Sequence, residues 1–211
     1  MDRRVTFFHS PNTRSSGILA LLRELDADYA LKVLNMKAGE QRAPAYLAIN
    51  PMGKVPAIVH DGNVVTECAA ICAYLADAYP EAGLQPNADE RADYYRWMFF
   101  AAGPLEQAIL AHTLGFEPED ERQQAVAGFG SFERTLDTLE GHLKDHTFVC
   151  GDRFTMADVY VGSHVDWGLT FGTLPKRPAF LAYAERCQAR TAYQAGKAID
   201  NELIARMQSN A

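Results

Sequence analysis

The sequence predicts two folded parts, a small mixed α/β domain with the order βαβαββα followed by an all-α domain. Three observations carry the prediction. Strand and helix patterns alternate as far as Tyr79, the stretch Pro-Glu-Ala-Gly-Leu-Gln-Pro-Asn at 80–87 has the composition of a connector, and the periodic segments beyond it repeat at helical spacing. The expected boundaries are 1–80 for the sheet domain, 81–87 for the linker and 88–211 for the helical domain, and 211 residues give ample length for a buried core.

The elements follow in order. Arg4 to His9 reads as a strand and Ser10-Pro11-Asn12-Thr13 as a loop. Ile18, Leu21, Leu22 and Leu25 share one helical face, with Ser15 or Ser16 as N-cap. Tyr29, Leu31 and Val33 alternate with Ala30 and Lys32, giving a second strand; the intervening helix makes it parallel to the first through a right-handed crossover. Residues 35–41 read as a polar loop, and Pro44 opens a short helix through Ile49 that Asn50-Pro51 closes. Val55 to Val59 is a short β-branched strand, turned by Asp61-Gly62 into an antiparallel Val64-Val65. Ala70, Ile71, Tyr74, Leu75 and Ala78 form the stripe of a third helix that stops at Tyr79-Pro80. Beyond the connector, helical stretches are expected over 89–111, 119–144, 155–167 and 178–190, then a looser tail; Thr155-Met156-Ala157-Asp158 reads as a capping-box variant with a folding role.

Bulk properties narrow the function. Hydrophobic residues at 48% and charged residues at 22% indicate a folded soluble chain, and no apolar run approaches bilayer length. Residues 1–9 break into His and Ser too soon for a signal peptide, so a cytoplasmic address is expected. A net charge of −7 without a basic cluster argues against nucleic acid as a partner. Cys68, Cys72, Cys150 and Cys187 contain no CxxC pair, and the histidines show no metal-ligand spacing, so reduced thiols and no structural metal are expected.

The informative stretch is Asn50-Pro51-Met52-Gly53-Lys54-Val55-Pro56. A proline at the start of a strand lacks the N–H that the ladder needs, which points to a cis Val55–Pro56 bond in a tight turn. The Val55 N–H and C=O would then be open to an extended peptide as an added strand. A few residues on, the helix beginning at Thr66-Glu67-Cys68 offers N–H groups and a positive dipole end to a carboxylate. Together these describe a peptide-sized site with an anionic end.

In order and spacing, this stretch, Glu67-Cys68-x-x-Ile71, and Gly151-Asp152 with Thr155-x-x-Asp158 resemble the soluble glutathione S-transferases over nearly the whole chain. The resemblance implies a thioredoxin-like N-terminal domain, a cis Pro56, the cysteinyl backbone of glutathione paired with Val55, and its γ-glutamyl carboxylate at Glu67 and Cys68. Most relatives have Ser where Cys68 stands; a thiol is the weaker donor, so this contact is expected to rest on the Cys68 backbone N–H. Lys54, with Gln41, would hold the glycyl end. Ser10 occupies the theta-like thiol position and Asn12 a nu-like one, whereas the Cys and His of the beta-like class are replaced by Arg14 and Glu106; a bacterial protein nearer theta/nu-like than beta-like is expected. Ser15 is the competing hydroxyl.

A free thiol titrates near pKa ~8.5, so ionising it at neutral pH requires help. A hydrogen bond from the Ser10 hydroxyl to a charged sulfur is worth roughly 1.5–3 kcal/mol, which at about 1.4 kcal/mol per pKa unit corresponds to about one to two units. The positive end of the first helix, and Asn12, are expected to add to this. The implied activity is attack by glutathione thiolate on a small apolar electrophile, a detoxification chemistry, in a homodimer without metal, nucleic acid or membrane. Peroxidase, lyase or dehalogenase variants share the site. A non-catalytic glutathione-binding module and a ligandin-like carrier are the alternatives. Tyr94, Tyr95, Trp97, Phe99, Phe100 and Trp167 read as core or dimer contact ahead of pocket lining.

Overall fold

The computed structural model describes residues 3–209. Its four strands, β1 (Val5–His9), β2 (Tyr29–Val33), β3 (Ala57–His60) and β4 (Asn63–Thr66), form one sheet in the order β2-β1-β3-β4. β1 and β2 are parallel, from Val5↔Tyr29 to His9↔Val33, and β3 is antiparallel to both β1 and β4. Asp61 (φ 49°) and Gly62 (φ 77°) make the tight β3–β4 turn, two consecutive positive φ values being what such a hairpin requires. Helices α1 (Ser16–Glu24), α2 (Pro44–Leu47) and α3 (Cys68–Ala78) complete the expected βαβαββα order. Alternation in β1 sends Val5, Phe7 and His9 inward, where the first two meet a core that includes Ile18, Leu22, Ile58, Ile71 and Leu75, all 2% exposed or less. Burial of each such side chain stabilises by roughly 1.5–3 kcal/mol.

Local departures from expectation have simple causes. β3 starts at Ala57 rather than Val55, because the antiparallel register with β1 begins at Phe8↔Ala57 and Pro56 has no N–H to extend it. Ser15 does stand at the N-cap of α1, but in helical geometry, and its hydroxyl does not cap; that hydroxyl is used in the preceding loop.

The chain divides into two compact units, and the division differs from the expected 88–211 helical domain. One unit runs to Gln85 and takes the chain up again from Gln188; the other spans Pro86–Cys187. The expected loose tail is in fact α10 (Thr191–Ser209), the longest helix, packed antiparallel on α1. Arg190, just before it, forks onto both carboxylate oxygens of Glu24 (2.5 and 2.7 Å), Gly196 crosses Ala20, and Asp200 meets Ser16 (3.0 Å). The crossing is backbone-close: a Cβ on Gly196 would lie 2.7 Å from the Ala20 nitrogen.

The second unit contains α4 (Arg91–Phe100), α5 (Glu106–Leu114), α6 (Glu121–Val126), α7 (Phe132–Asp145), α8 (Met156–Phe171) and α9 (Pro178–Gln188). The expected 89–111 helix is interrupted by a π-helical turn, Ala101–Leu105, where Pro104 cannot donate to the α-helical ladder. The expected 119–144 helix breaks around Gly128 and Gly130, and Ser131 caps the next helix by accepting the Arg134 N–H (3.3 Å). Asp158, fully buried, accepts from the Thr155 N–H (2.9 Å), the Thr155 hydroxyl (3.1 Å), the Val149 N–H (2.8 Å) and the Tyr183 hydroxyl (2.9 Å). Among the described residues no helix is long and apolar enough to cross a membrane.

Candidate functional site

Three segments of the first unit meet at one end of the sheet. Antiparallel register brings the chain leaving β1 through His9 and Ser10 alongside the chain entering β3 through Val55 and Pro56, and the pair Ala57↔Thr66 places Glu67 next to them. The Cys68 thiol donates to the Arg14 carbonyl (3.7 Å), drawing the start of α3 to the β1–α1 loop.

The Val55–Pro56 bond is cis, as expected from the sequence, and Pro56 is buried. Val55 is half-buried, and its N–H and C=O make no backbone hydrogen bond among the described residues. The preceding carbonyl is held tightly: Lys54 O accepts from the Tyr46 hydroxyl and from Asn50 Nδ2 (2.8 Å), while Asn50 Oδ1 takes the Met52 N–H (3.1 Å). Burial raises the Tyr46 phenol, against a smaller lowering by Asn50, which keeps it a neutral donor. Gly53 turns the chain at φ 60°, and a Cβ there would come within 3.0 Å of the Gln41 carbonyl. Asn50, Gly53 and Tyr46 therefore shape the segment that presents Val55. Tyr46 escapes sequence reading, since a tyrosine in a short helix carries no signal of a partner eight residues on.

Lys54 is exposed and forms no ion pair among the described residues. Gln41 lies beneath the same loop, 9% exposed, with Oε1 unpartnered among the described residues. Glu67 is exposed at φ 65° and ψ 122°, a conformation rare for a side-chain-bearing residue and of the kind that clusters at functional positions. It heads α3, whose first-turn N–H groups have no intrahelical acceptors.

The β1–α1 loop is built around Ser15. Its Oγ, fully buried, lies 2.7 Å from His9 Nδ1, 2.7 Å from Thr13 Oγ1, 3.2 Å from the Ser10 nitrogen and 3.1 Å from the Ser10 oxygen. A hydroxyl has one proton and two lone pairs, so these neighbours saturate it. Ser10 differs. Its backbone is bonded to Ser15 and Thr13, but its Oγ has no partner among the described residues. Asn12 is exposed at φ 55°.

Asp200 closes the loop from α10. Its Oδ2 accepts the Ser16 hydroxyl (3.0 Å), and its Oδ1 lies 3.0 Å from His9 Nε2, an ion-pair distance. Burial alone would raise this carboxyl; His9, Ser16 and the Asn12 N–H outweigh it and hold it below the usual range. The carboxylate sits at the first turn of α1, so the positive end of that helix, expected to serve a ligand, already faces an anion of the protein. Sequence reading missed His9 and Asp200. A polar residue at the third inward position of β1 was a usable signal for His9; Asp200 had none.

In the second unit, Tyr94 and Trp97 are core residues while Tyr95 and Phe99 are 54% and 72% exposed, so the aromatic run of α4 is not one pocket wall. Glu106 is paired with His164 Nε2 (3.1 Å).

Residues 3–77 match the family described as glutathione S-transferase, N-terminal domain, and residues 119–186 that described as glutathione S-transferase, C-terminal domain. A glutathione S-transferase of Escherichia coli is 32% identical over 164 residues, 76% of this chain and 80% of that protein. The crystal structure of a glutathione transferase from Methylococcus capsulatus superposes with a TM-score of 0.76 at 31% identity, covering 93% of this chain and 98% of the other. A transferase homologue from Sulfitobacter, crystallised with bound glutathione, superposes at 0.74 with 24% identity over 92% of this chain and 97% of its own, a likeness of fold.

Proposed function

The chain belongs to the glutathione S-transferase family, and on that premise we propose that it binds glutathione along the open end of its sheet and holds the sulfur as thiolate for attack on a small apolar electrophile. Its first unit carries the thioredoxin-like fold of the family's N-terminal domain, and the helices after the connector the family's C-terminal domain. The observation that carries the reading is the Ser10 hydroxyl at the end of β1, which makes no hydrogen bond among the described residues while the neighbouring Thr13 and Ser15 hydroxyls are engaged within the loop.

Each end of the tripeptide has an answering group. The Val55 N–H and C=O pair with the cysteinyl backbone as an added strand, the turn of α3 at Glu67 and Cys68 receives the γ-glutamyl end, and Lys54, with Gln41, receives the glycyl carboxylate. Ser10 donates its O–H to the sulfur, and Asn12 stands beside it. The thiol proton leaves to solvent. The sulfur lone pair forms the new S–C bond, and the electron pair of the electrophile departs with its leaving group or, in an addition, is protonated. Ser10 and Asn12, with Arg14 and Glu106 at the beta-like positions, favour a theta- or nu-like site. Tyr95 and Phe99, one turn apart and exposed on α4, offer an apolar face for a homodimer, which sedimentation of the purified protein would report.

The test is the ultraviolet absorbance of the thiolate as glutathione is added across pH. Wild-type protein should ionise the bound thiol near neutrality, and Ser10→Ala should raise its pKa by roughly one to two units. Glutathione bound only as thiol would instead make the chain a carrier, and an unchanged profile in Ser10→Ala would remove Ser10 from the mechanism.

A further inference from the structure

One buried polar chain plays no part in the thiolate reading. It runs from Asp200 on α10 through His9 to Ser15, and Ser15 bonds both backbone groups of Ser10. Asp, His and Ser in sequence suggest a proton relay, but the end point excludes that role. Beyond Ser15 the chain meets the Ser10 N–H and C=O and the Thr13 hydroxyl, which itself returns to the Ser10 C=O, and it does not include the Ser10 hydroxyl, the group proposed to meet the sulfur. What it can do is fix the backbone from which the Ser10 and Asn12 side chains project. Asp200 meets side chains at both ends of the loop: Nε2 of His9, the last residue of β1, and the hydroxyl of Ser16, the first residue of α1. The carboxylate is itself held in place, one helical turn from the Gly196–Ala20 crossing.

We propose that Asp200 is a positioning residue, which sets the β1–α1 loop and, given the role of Ser10 proposed above, the placement of its hydroxyl against the glutathione sulfur. It acts across 184 positions of sequence. Charge and placement predict opposite signs. A carboxylate near a thiolate opposes ionisation, so if Asp200 acted through its charge, Asp200→Asn would lower the bound thiol's pKa; if it acts through placement, the same variant raises it.

Two measurements decide the matter. In the protein without glutathione, Asp200→Asn should speed hydrogen exchange of the Asn12, Ser15 and Ser16 amides by about tenfold, leaving the Leu31 and Ile58 amides unchanged. With glutathione, kcat should fall about tenfold with the KM for glutathione within about twofold, because a displaced hydroxyl affects the reacting atom and not the grip on the tripeptide. Ser16→Ala, which removes one contact of Asp200, should move both readouts the same way by less, and Asp200→Glu should recover part of the loss. Unchanged loop exchange, or a lowered thiol pKa, would overturn the proposal. If wild-type protein fails to ionise glutathione, the transferase reading falls, and the exchange comparison still decides whether Asp200 sets the loop.

Discussion

Asp158 and Asp200 are both buried to within 2% of complete, and both serve the N-terminus of a helix, yet they do so in opposite ways. Asp158 caps the helix it belongs to, and its partners Thr155 and Val149 are within nine positions. Asp200 serves the start of α1 from α10 and reaches His9 and Ser16 only because the chain returns. Their acidities diverge as well. Burial pushes the Asp158 carboxyl up despite its hydrogen bonds to the Val149 and Thr155 N–H groups and to the Tyr183 and Thr155 hydroxyls, all neutral donors. Burial acts the same way on Asp200, but the imidazole of His9 together with Ser16 and Asn12 prevails. The first aspartate is a folding device and the second belongs to the site, and what separates them is where their donors come from.

The largest expected effect tests the folding side. Asp158→Ala strands the buried Val149 N–H and the Tyr183 hydroxyl, at about 1–3 kcal/mol each, and should destabilise the protein by about 3 kcal/mol or more in urea unfolding. The thiol pKa in the protein that remains folded should not move; if it did, the division of labour between the two aspartates would be wrong. Gly196→Val comes next. Its added atoms meet the Ala20 backbone, so α10 must lift, with about 1–3 kcal/mol of overpacking strain and the same loosening of the Asn12 and Ser16 amides as in Asp200→Asn. Normal loop exchange in a destabilised Gly196→Val would show that Asp200 does not depend on the crossing.

The smallest effect sharpens the contrast by pH. Asp200 has a folded-state pKa below its unfolded value of about 3.9, so its stabilisation is complete above that value and is lost as pH falls through the folded one. Asp158, raised in the folded state, contributes in the reverse sense: its term is complete below about 3.9 and is lost as pH rises through the higher folded value. Between about pH 6 and pH 3, opening of the Asn12 and Ser16 amides should become easier and opening of the Val149 and Thr155 amides harder, relative to the global stability at each pH. Parallel changes at the two places would contradict the assigned directions.

The same contrast explains what could be read from the amino acids alone. The sheet, the Asp61-Gly62 turn and the capping box are encoded by neighbours, and the cis bond by its own dipeptide in the setting of a strand start. The π turn at Pro104 and the break near Gly130 were also local, although a helical period running through them hid both. α10 was illegible for a different reason. Its buried residues, Gly196 and Asp200, are of types that do not signal the buried face of a helix. Ser15 was visible as a serine, but whether it met a ligand or its own loop depended on His9 and Thr13, and only the folded arrangement decides that.

The return of α10 to α1 has a consequence for synthesis. On a ribosome, Ser10 and Ser16 emerge early, while the carboxylate that grips their loop follows only after all of residues 86–187 have been translated. A nascent chain therefore has every strand of its sheet translated before the clamp exists, and a product released short of residue 200 would keep the residues proposed above to meet the tripeptide without the carboxylate proposed to set their geometry.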